Sequence, residues 1–386
     1  MEPCIHFPAC GGCSYQDIPY ADQLKKKEAG VRELLKNAAA GNPFLWEGIL
    51  APSVPYGYRN KMEYTFGDAV KDGPLCLGLH KARSRYDIIT TDSCCIVHPD
   101  FNRVLRLTLD YFTEKKVRFY HKVRHDGTLR HLLVRRGKNS GEILIDLVTA
   151  SAGAGEDLLK GWKDNLLSAG TEGKIVGILH TRNDSFSDAV INQGTEILYG
   201  QEYFTEELMG MKFDITPFSF FQNNSEGAEI LYGKIREYIG DVRGKTVFDL
   251  YSGTGTIAIL SAGFAAETVG VEIVPEAVEA AEKNAERNHV SNCRFIAGDV
   301  LKVLDSLEER PDGMILDPPR EGVHPKTLEK ILSYGVKNMI YVSCKTESFV
   351  KEMPMFSENG YSISRACCID MFPFTRNVET LCLLKR

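Results

Sequence analysis

The chain has 386 residues, 43% of them hydrophobic, and a formal net charge of −6 at pH 7. This length predicts two or three domains with sizeable cores. A membrane span is excluded because no run of about 18 apolar residues occurs. The start, MEPCIHFPAC, lacks the basic segment and apolar core of a signal peptide, so we expect a cytoplasmic protein whose 11 cysteines are reduced.

The first motif in the chain is a group of three cysteines, Cys4, Cys10 and Cys13, with the spacing C-x5-C-x2-C. The CGGC turn allows two thiolates to face one ion. In a cytosolic protein this spacing indicates a metal or iron–sulfur site, which needs a fourth cysteine. Cys94 and Cys95 are the candidates. Zinc is the alternative, because four thiolates also suit it.

Two changes of pattern divide the rest of the chain. From Ile18 to about Ala38 the apolar spacing is helical, and from about Ile49 to Ile197 it consists of short β-rich pieces separated by Gly, Asn and Asp. We therefore predict a cysteine segment with a helix over residues 1–48 and a mixed β domain over 49–215. The stretch SAGAGEDLLKGWKDNLLSAG predicts one helix packed on that domain.

Basic residues are concentrated in the predicted β domain. Between Ala51 and Lys138 there are 17 Lys or Arg against 9 Asp or Glu, although the whole chain is acidic. Within this part, Lys115 to Lys138 also contains Phe119 and Tyr120, a composition suited to phosphate contact and base stacking. We expect a surface for RNA or DNA, and the alternative is a pair of solvated strands with basic outer faces.

Residues 216–386 show strands alternating with helices. The strand-like runs are KTVFDLYSGTG, TVGVEIV, CRFIAGDV, GMILDPPR, NMIYVSCKTES and VETLCLLKR. This alternation predicts an α/β, doubly wound, Rossmann-like parallel sheet. Ligands of such sheets bind at the carboxyl ends of the strands.

The first of these strands ends in a glycine-rich turn, followed by a helix that begins at Thr256. The pattern G-x-G-x-x-G is incomplete and no P-loop lysine follows, so neither a dinucleotide nor a triphosphate is favoured. Glu272 ends the second strand and Asp299 the third, where acidic side chains can bind ribose hydroxyls and an adenine edge. We predict an S-adenosylmethionine pocket; the alternative is that these carboxylates only cap helices.

Asp317 and Cys344 follow the fourth and fifth strands, so we expect them beside the cofactor. A thiol at a strand end is partly exposed, and the adjacent Lys345 can favour its thiolate form. Core filler is the alternative, since free cysteine is commonly buried. Glu379 begins the last strand and is a candidate base at the same edge.

In this order, FDLYSGTG, DPPR, YVSCKTES and DMFPFTRNVETLCLL resemble the RNA uracil-5-methyltransferase family, as do YRNK, LRHLLVRRG and FSFFQNNSE. The resemblance extends from Tyr58 to the C-terminus. It implies that Cys344 adds to carbon 6 of uracil and that Glu379 removes the proton from carbon 5 after methylation. The cofactor-binding residues that we predict are Gln222, Tyr251, Thr256, Glu272, Asp299 and Asp317.

One departure concerns the residues after the nucleophile, where family members often have Asn-Pro and this chain has Lys345-Thr346. This puts the local loop geometry in doubt. A subset of the family has a [4Fe-4S] cluster held by three N-terminal cysteines and a distant one. Cys94 matches that register better than Cys95, so the resemblance implies Cys4, Cys10, Cys13 and Cys94 as cluster ligands.

The chain begins at these cysteines, and we therefore expect no small β-barrel RNA-binding domain in front of them. Relatives with a cluster and no barrel act on 23S ribosomal RNA or on the T-loop of transfer RNA. We favour 23S ribosomal RNA, without a membrane or an obligate protein partner. A non-catalytic RNA-binding protein is disfavoured because it needs neither Cys344 nor Glu379. Radical methylation is disfavoured because the C-x3-C-x2-C spacing is absent.

Overall fold

The computed structural model describes residues 4–168 and 170–386. It separates into two compact units. Unit 1 consists of the described residues of Met1–Asp17, Val54–Glu207 and Asp214–Phe218, and unit 2 consists of Ile18–Ser53, Leu208–Phe213 and Ser219–Arg386.

The elements are numbered in chain order. The helices are α1 Tyr20–Ala38, α2 Pro99–Glu114, α3 Glu156–Ser168, α4 Ser225–Ile239, α5 Thr256–Ala262, α6 Pro275–Arg287, α7 Val300–Ser306, α8 Pro325–Ser333 and α9 Thr346–Glu358. The strands are β1 Leu45–Leu50, β2 Lys61–Asp68, β3 Leu75–His80, β4 Ile88–Thr90, β5 Leu129–Arg136, β6 Glu142–Thr149, β7 Lys174–Arg182, β8 Thr195–Gly200, β9 Phe204–Leu208, β10 Met211–Ile215, β11 Thr246–Leu250, β12 Glu267–Glu272, β13 Cys293–Ala297, β14 Gly313–Leu316, β15 Asn338–Ser343, β16 Ser362–Ile369 and β17 Glu379–Lys385. In the described ranges, no helix has both the length and the apolar character needed to cross a membrane.

Unit 2 is built on an eight-stranded sheet in the order β1-β16-β17-β15-β14-β11-β12-β13. Strands β11 to β15 pair in parallel, and β17 runs antiparallel to both of its neighbours, β15 and β16. The central strands are buried along almost their whole length, as parallel strands are when helices cover both faces. The predicted α/β, Rossmann-like fold is therefore confirmed.

The register of the sheet brings the ends of neighbouring strands to one edge. Leu250 of β11 lies opposite both Val271 of β12 and Leu316 of β14, and Leu316 lies opposite Tyr341 of β15. The side chains that follow these strands consequently share the carboxyl edge of the sheet, where ligands bind in this architecture.

Helix α1 and strand β1 belong to unit 2, whereas the sequence grouped α1 with the cysteine segment over residues 1–48. The physical reason is the apolar face of α1, on which Val31 and Leu35 are part of the same buried cluster as the central strands. Strand β1 extends the sheet by pairing in parallel with β16. The predicted boundary at 48 therefore does not follow the packing of the chain.

Unit 1 contains a mixed seven-stranded sheet in the order β4-β3-β2-β5-β6-β7-β8. Its pairs are antiparallel except for β6 and β7. The helix predicted from SAGAGEDLLKGWKDNLLSAG is α3, in which Trp162 is fully buried. The Trp162 Nε1–H donates to Thr108 Oγ1 at 3.1 Å and thereby joins α3 to α2.

Candidate active site

The turn between β11 and α5 has a backbone shape that depends on glycine. Tyr251, Gly253 and Gly255 adopt φ angles of 68°, 53° and 77°. A Cβ at Gly255 would lie 2.6 Å from the Phe295 ring, so a larger residue does not fit there. At Gly253 the nearest atom to such a Cβ is Phe220 Cδ1 at 3.8 Å, which leaves the turn open for a ligand to approach the backbone closely.

Glu272 lies beside this turn, as predicted from its position at the end of β12. Its carboxylate accepts the N–H groups of Gly253 and Val274, each at 3.0 Å. The carboxylate is thereby held in a fixed orientation at the mouth of the turn. This arrangement fits a nucleoside ligand, because a ribose hydroxyl can donate to such an oriented carboxylate.

Two further residues that the sequence predicts to bind the cofactor lie close to the glycine turn. Thr256 is the first residue of α5 and is buried. Gln222 is also buried and precedes α4. The Thr254 hydroxyl donates to the Phe220 carbonyl at 3.3 Å, which joins the FSFFQNN segment to the glycine turn. This segment therefore contributes to the wall of the same site.

Asp299 is exposed and caps α7, where its Oδ1 accepts the Lys302 N–H at 3.2 Å. Asp299 therefore caps a helix, which is the alternative that the sequence analysis gave for these carboxylates. Asp299 also lies near the glycine turn between β11 and α5. Burial raises the pKa of the Tyr251 hydroxyl to about 12, and the charges of Glu352 and Asp299 contribute to that rise. The role of Asp299 in cofactor binding stays a prediction.

Cys344 and Glu379 come together because β15 and β17 are antiparallel. Ser343, the last residue of β15, pairs with Thr380, so the next pair outward in this register is Cys344 with Glu379. The hydroxyls of Thr346 and Thr380 are hydrogen-bonded at 2.7 Å and fasten the start of α9 to β17. Thr346, part of the departure from the family pattern, therefore forms an ordered contact two residues after Cys344.

The electrostatics of this edge disfavour negative charge. Burial, followed by the charge of Glu379, raises the pKa of the half-buried Cys344 thiol to about 11. Burial, followed by the charge of Asp317, raises the pKa of Glu379 to about 8. Burial alone raises the pKa of Asp317 to about 7. The three groups interact, and at neutral pH the thiol is protonated.

Arg320 is a further charged residue whose charge acts on this edge, and the sequence analysis did not assign it a role. Its positive charge opposes the rise in pKa of both Cys344 and Glu379. Helix α9 holds the loop around it, since the Ser348 hydroxyl donates to the Arg320 carbonyl at 2.7 Å. The only signal in the sequence is the arginine that ends the DPPR motif.

The loop after Arg320 is fixed by a buried carboxylate. Glu352 accepts the Val323 N–H at 2.7 Å and the Tyr341 hydroxyl at 2.8 Å. Gly322 has a φ of 87°, and a Cβ there would lie 2.0 Å from Glu352 Oε1. Glu352 thus links β15 and α9 to the loop that follows Arg320.

The predicted cluster ligands are all in unit 1. The Gln16 amide donates to the sulfurs of Cys13 and Cys95, at 3.6 and 3.3 Å. Burial raises the pKa of Cys94 to about 12, and the charges of Cys13, Cys95 and Cys4 contribute. The thiols are therefore neighbours. In the part of the chain that the structure describes, however, no three His, Cys, Asp or Glu side chains are placed to hold a metal ion.

We predict that Arg320→Gln slows alkylation of Cys344 by iodoacetamide at pH 8.5 by about three- to tenfold, a shift of half to one pKa unit. Loss of the cation moves the thiol pKa further above about 11, so less thiolate is present at a fixed pH. The rate is read from the Cys344 peptide by mass spectrometry. Arg310→Gln, a change at an exposed arginine whose charge acts on Tyr334, is the control. Equal rates in Arg320→Gln and wild type would contradict the assignment.

Comparison with known proteins identifies the relatives of this chain. Residues 241–370 match a family model described as a methyltransferase domain. An uncharacterized RNA methyltransferase of Caldanaerobacter subterraneus subsp. tengcongensis is 47% identical, over 100% of this chain and 85% of the relative. Another from Clostridium tetani is 46% identical, over 99% of this chain and 83% of the relative.

A solved structure is also similar over almost the full length. It is the tRNA (uracil-54, C5)-methyltransferase of Pyrococcus abyssi in complex with S-adenosyl-L-homocysteine, with a TM-score of 0.78 and 26% sequence identity. The match covers 98% of this chain and 86% of that one. Because the sequence and fold agree over nearly the whole chain, the protein belongs to the S-adenosylmethionine-dependent RNA methyltransferases.

Proposed function

We propose that this methyltransferase acts on carbon 5 of a uridine in RNA through a covalent bond between Cys344 and carbon 6 of the base. The observation that supports this best is the pairing of β15 with β17, which sets a thiol opposite a buried carboxyl at the edge where Asp317 and the glycine turn also lie. A methyl transfer to a nucleophilic atom would need neither the thiol nor a base beside it.

The proposed reaction begins with the addition of Cys344 to the uracil ring. Carbon 5 of uracil is too weak a nucleophile to take a methyl group directly. The Cys344 thiol gives its proton to the Asp317 carboxylate as its sulfur adds to carbon 6. The electron pair of the C5–C6 double bond moves into the ring as an enolate, and carbon 5 becomes nucleophilic. S-adenosylmethionine supplies the methyl group as a sulfonium when it is bound.

The remaining steps restore the base. Glu379 takes the proton from carbon 5, the C5–C6 double bond forms again, and the C6–S bond breaks to release Cys344 as a thiolate. A carboxyl with a pKa of about 8 suits this step, because a base works best when its pKa is near the operating pH. Arg320 stabilises the negative charge that forms on Cys344 in both directions.

An RNA substrate agrees with the basic composition of residues 51–138 and with the described relatives. We propose 23S ribosomal RNA as the target, as the resemblance implies. The alternative is transfer RNA, which the Pyrococcus abyssi enzyme modifies according to its name. A uridine within a helix would have to leave its stack before Cys344 could bond to it.

We expect cells without this gene to lack a 5-methyluridine that is present in the parent strain. Nucleoside mass spectrometry on separated ribosomal and transfer RNA measures this, and fragment mapping locates the base. A plasmid with the wild-type gene or with Cys76→Ala, a half-buried thiol in unit 1, should restore the nucleoside, while Cys344→Ala should not. A loss only in transfer RNA would overturn the ribosomal target. No loss in either RNA would favour the non-catalytic RNA-binding alternative.

We expect Glu379→Gln to accumulate a protein–RNA adduct that survives a denaturing gel, because the amide cannot remove the carbon 5 proton. Glu347→Gln, at an exposed position in the first turn of α9, should release its product normally. In wild type, release in single-turnover experiments should accelerate about tenfold from pH 6 to pH 7 and level off above the Glu379 pKa of about 8. If no adduct forms in the variant, Glu379 is not the releasing base.

The N-terminal cysteines are proposed to bind a [4Fe-4S] cluster through Cys4, Cys10, Cys13 and Cys94, with Cys95 as the alternative fourth ligand. Their proximity supports this, since the charges of Cys10 and Cys4 both act on the Cys13 thiol. Soft thiolate ligands suit iron–sulfur clusters. Binding would require the thiols to move, because their present positions do not form a metal site.

Cys10→Ser should abolish the brown colour and most of the bound iron of protein purified without oxygen, because a hydroxyl does not replace the thiolate that holds one iron of such a cluster. Iron is counted by elemental analysis. Cys76→Ser is the matched control, a half-buried cysteine outside the group. Cys94→Ser and Cys95→Ser, compared in the same way, identify the fourth ligand. Full iron content in Cys10→Ser would remove the cluster assignment.

A further inference from the structure

One exposed aromatic side chain of unit 1 is held in place by a buried arginine. Phe186 lies on the loop between β7 and β8 and is 76% exposed. Arg130 of β5 is buried, and its guanidinium donates to the carbonyls of Asn183 at 3.0 Å, Ser185 at 2.8 Å and Ser187 at 2.5 Å. The main chain is thus fixed immediately before and after Phe186.

The ring of Phe186 is supported from one side by a chain of contacts that returns to the same arginine. The ring centroid of His125 lies 4.7 Å from that of Phe186 in an edge-to-face arrangement. His125 Nδ1 is hydrogen-bonded to the Tyr120 hydroxyl at 3.1 Å. The Arg130 guanidinium lies 4.1 Å from the centre of the Tyr120 ring. A continuous series of contacts therefore joins four side chains and returns to its starting point. We call this group the aromatic platform, and it consists of Phe186, His125, Tyr120 and Arg130.

Single exposed apolar residues are common and need no explanation. This one differs because a buried charged side chain uses three hydrogen bonds to hold it outward. Asp184 strengthens the arrangement, since its carboxylate accepts the N–H and hydroxyl of Ser151 at 2.7 and 2.6 Å. An exposed ring that is already ordered loses little conformational entropy when a flat partner stacks on it.

The surface beside the platform carries charges of both signs, since the Lys122 ammonium is paired with the Asp188 carboxylate, and its basic excess lies on the connection between β3 and β4. Lys122, which lies between Tyr120 and His125 in the chain, donates to the Arg85 carbonyl at 3.4 Å and so joins this segment to the β3–β4 connection. That connection exposes Tyr86, which is 64% exposed, together with three basic side chains. These are Lys81, Arg83 and Arg85, and none of them forms an ion pair with another described residue. They are available for phosphate groups.

We propose that the aromatic platform stacks an unpaired base of the RNA substrate on Phe186 while Lys81, Arg83 and Arg85 contact the adjacent phosphates. This inference rests on the proposed function, because it takes RNA as the substrate. Single-stranded nucleic acid is recognised by this combination of an exposed ring and a positive rim. A duplex offers no free base face, so the platform selects unpaired segments.

The test is equilibrium binding of the full-length protein to a fluorescein-labelled oligouridylate of roughly 12 nucleotides, with a duplex of equal length in parallel. Phe186→Ala should weaken binding of the single strand by roughly five- to hundredfold, the range for loss of one stacked base. Phe186→Trp should retain it. Ile191→Ala, another exposed apolar position on the same loop, should bind as wild type. The duplex should not distinguish Phe186→Ala from wild type.

The salt dependence of the binding constant distinguishes the contribution of base stacking from that of phosphate contacts. Phe186→Ala should leave the slope of log K against log salt unchanged, whereas Arg83→Ala should reduce it by about 0.7. Wild-type affinity in Phe186→Ala, or equal losses in Phe186→Ala and Ile191→Ala, would overturn the platform. Failure of wild type to bind the single strand would also overturn it. Binding is measured without methyl transfer. If Phe186→Ala weakens binding of the single strand as expected, but no 5-methyluridine depends on the gene, only the proposed function is overturned.

Discussion

The active-site arrangement proposed for unit 2 depends on the reversed direction of β17. In a wholly parallel sheet, only residues that follow strands reach the carboxyl edge. Because β17 is antiparallel to β15, its first residue, Glu379, lies at the edge where β15 ends before Cys344. The pairing of Ser343 with Thr380 fixes this register. A slip by one residue would turn every β17 side chain to the opposite face of the sheet and separate the carboxyl from the thiol.

The connection between β16 and β17 is in turn anchored by α1. The Lys27 ammonium donates to Asp370 Oδ1 at 2.6 Å and to the Phe372 carbonyl at 3.0 Å, and the Gln23 side chain accepts the Phe374 N–H at 3.1 Å. The side chains of Lys27 and Asp370 are 2% and 0% exposed. Loss of one partner from a buried ion pair typically costs about 3–5 kcal/mol, since the other charge is left uncompensated. The helix next in sequence to the cysteine segment is therefore part of the support for the proposed base.

The sequence was sufficient wherever a local pattern has one structural outcome. Alternating strands and helices predicted the sheet, and the strand-end rule predicted that Glu272, Asp317 and Cys344 share an edge. It was insufficient where long-range packing decides. The boundary predicted at 48 did not anticipate that Lys27 of α1 pairs with Asp370, 343 residues further along the chain. Arg320 is held by Ser348, 28 residues away in the chain, and Phe186 by Arg130, whose hydrogen bonds to Ser185 and Ser187 span 55 and 57 residues. No local pattern in the sequence reveals such partners.

The raised pKa values at the reactive edge have a consequence for how the site works. With a pKa of about 11, only about one Cys344 side chain in ten thousand is a thiolate at pH 7. The thiol is thus poorly reactive toward oxidants and alkylating agents while the site is empty. Asp317 and Glu379, with pKa values of about 7 and 8, can each accept a proton near neutral pH. In the proposed mechanism the thiol proton passes to Asp317, because Glu379 has to be deprotonated to remove the carbon 5 proton. The nucleophile then forms without an additional negative charge at the edge, and the carboxyl group of Asp317, which lies close enough to raise the thiol pKa, is also the acceptor of its proton.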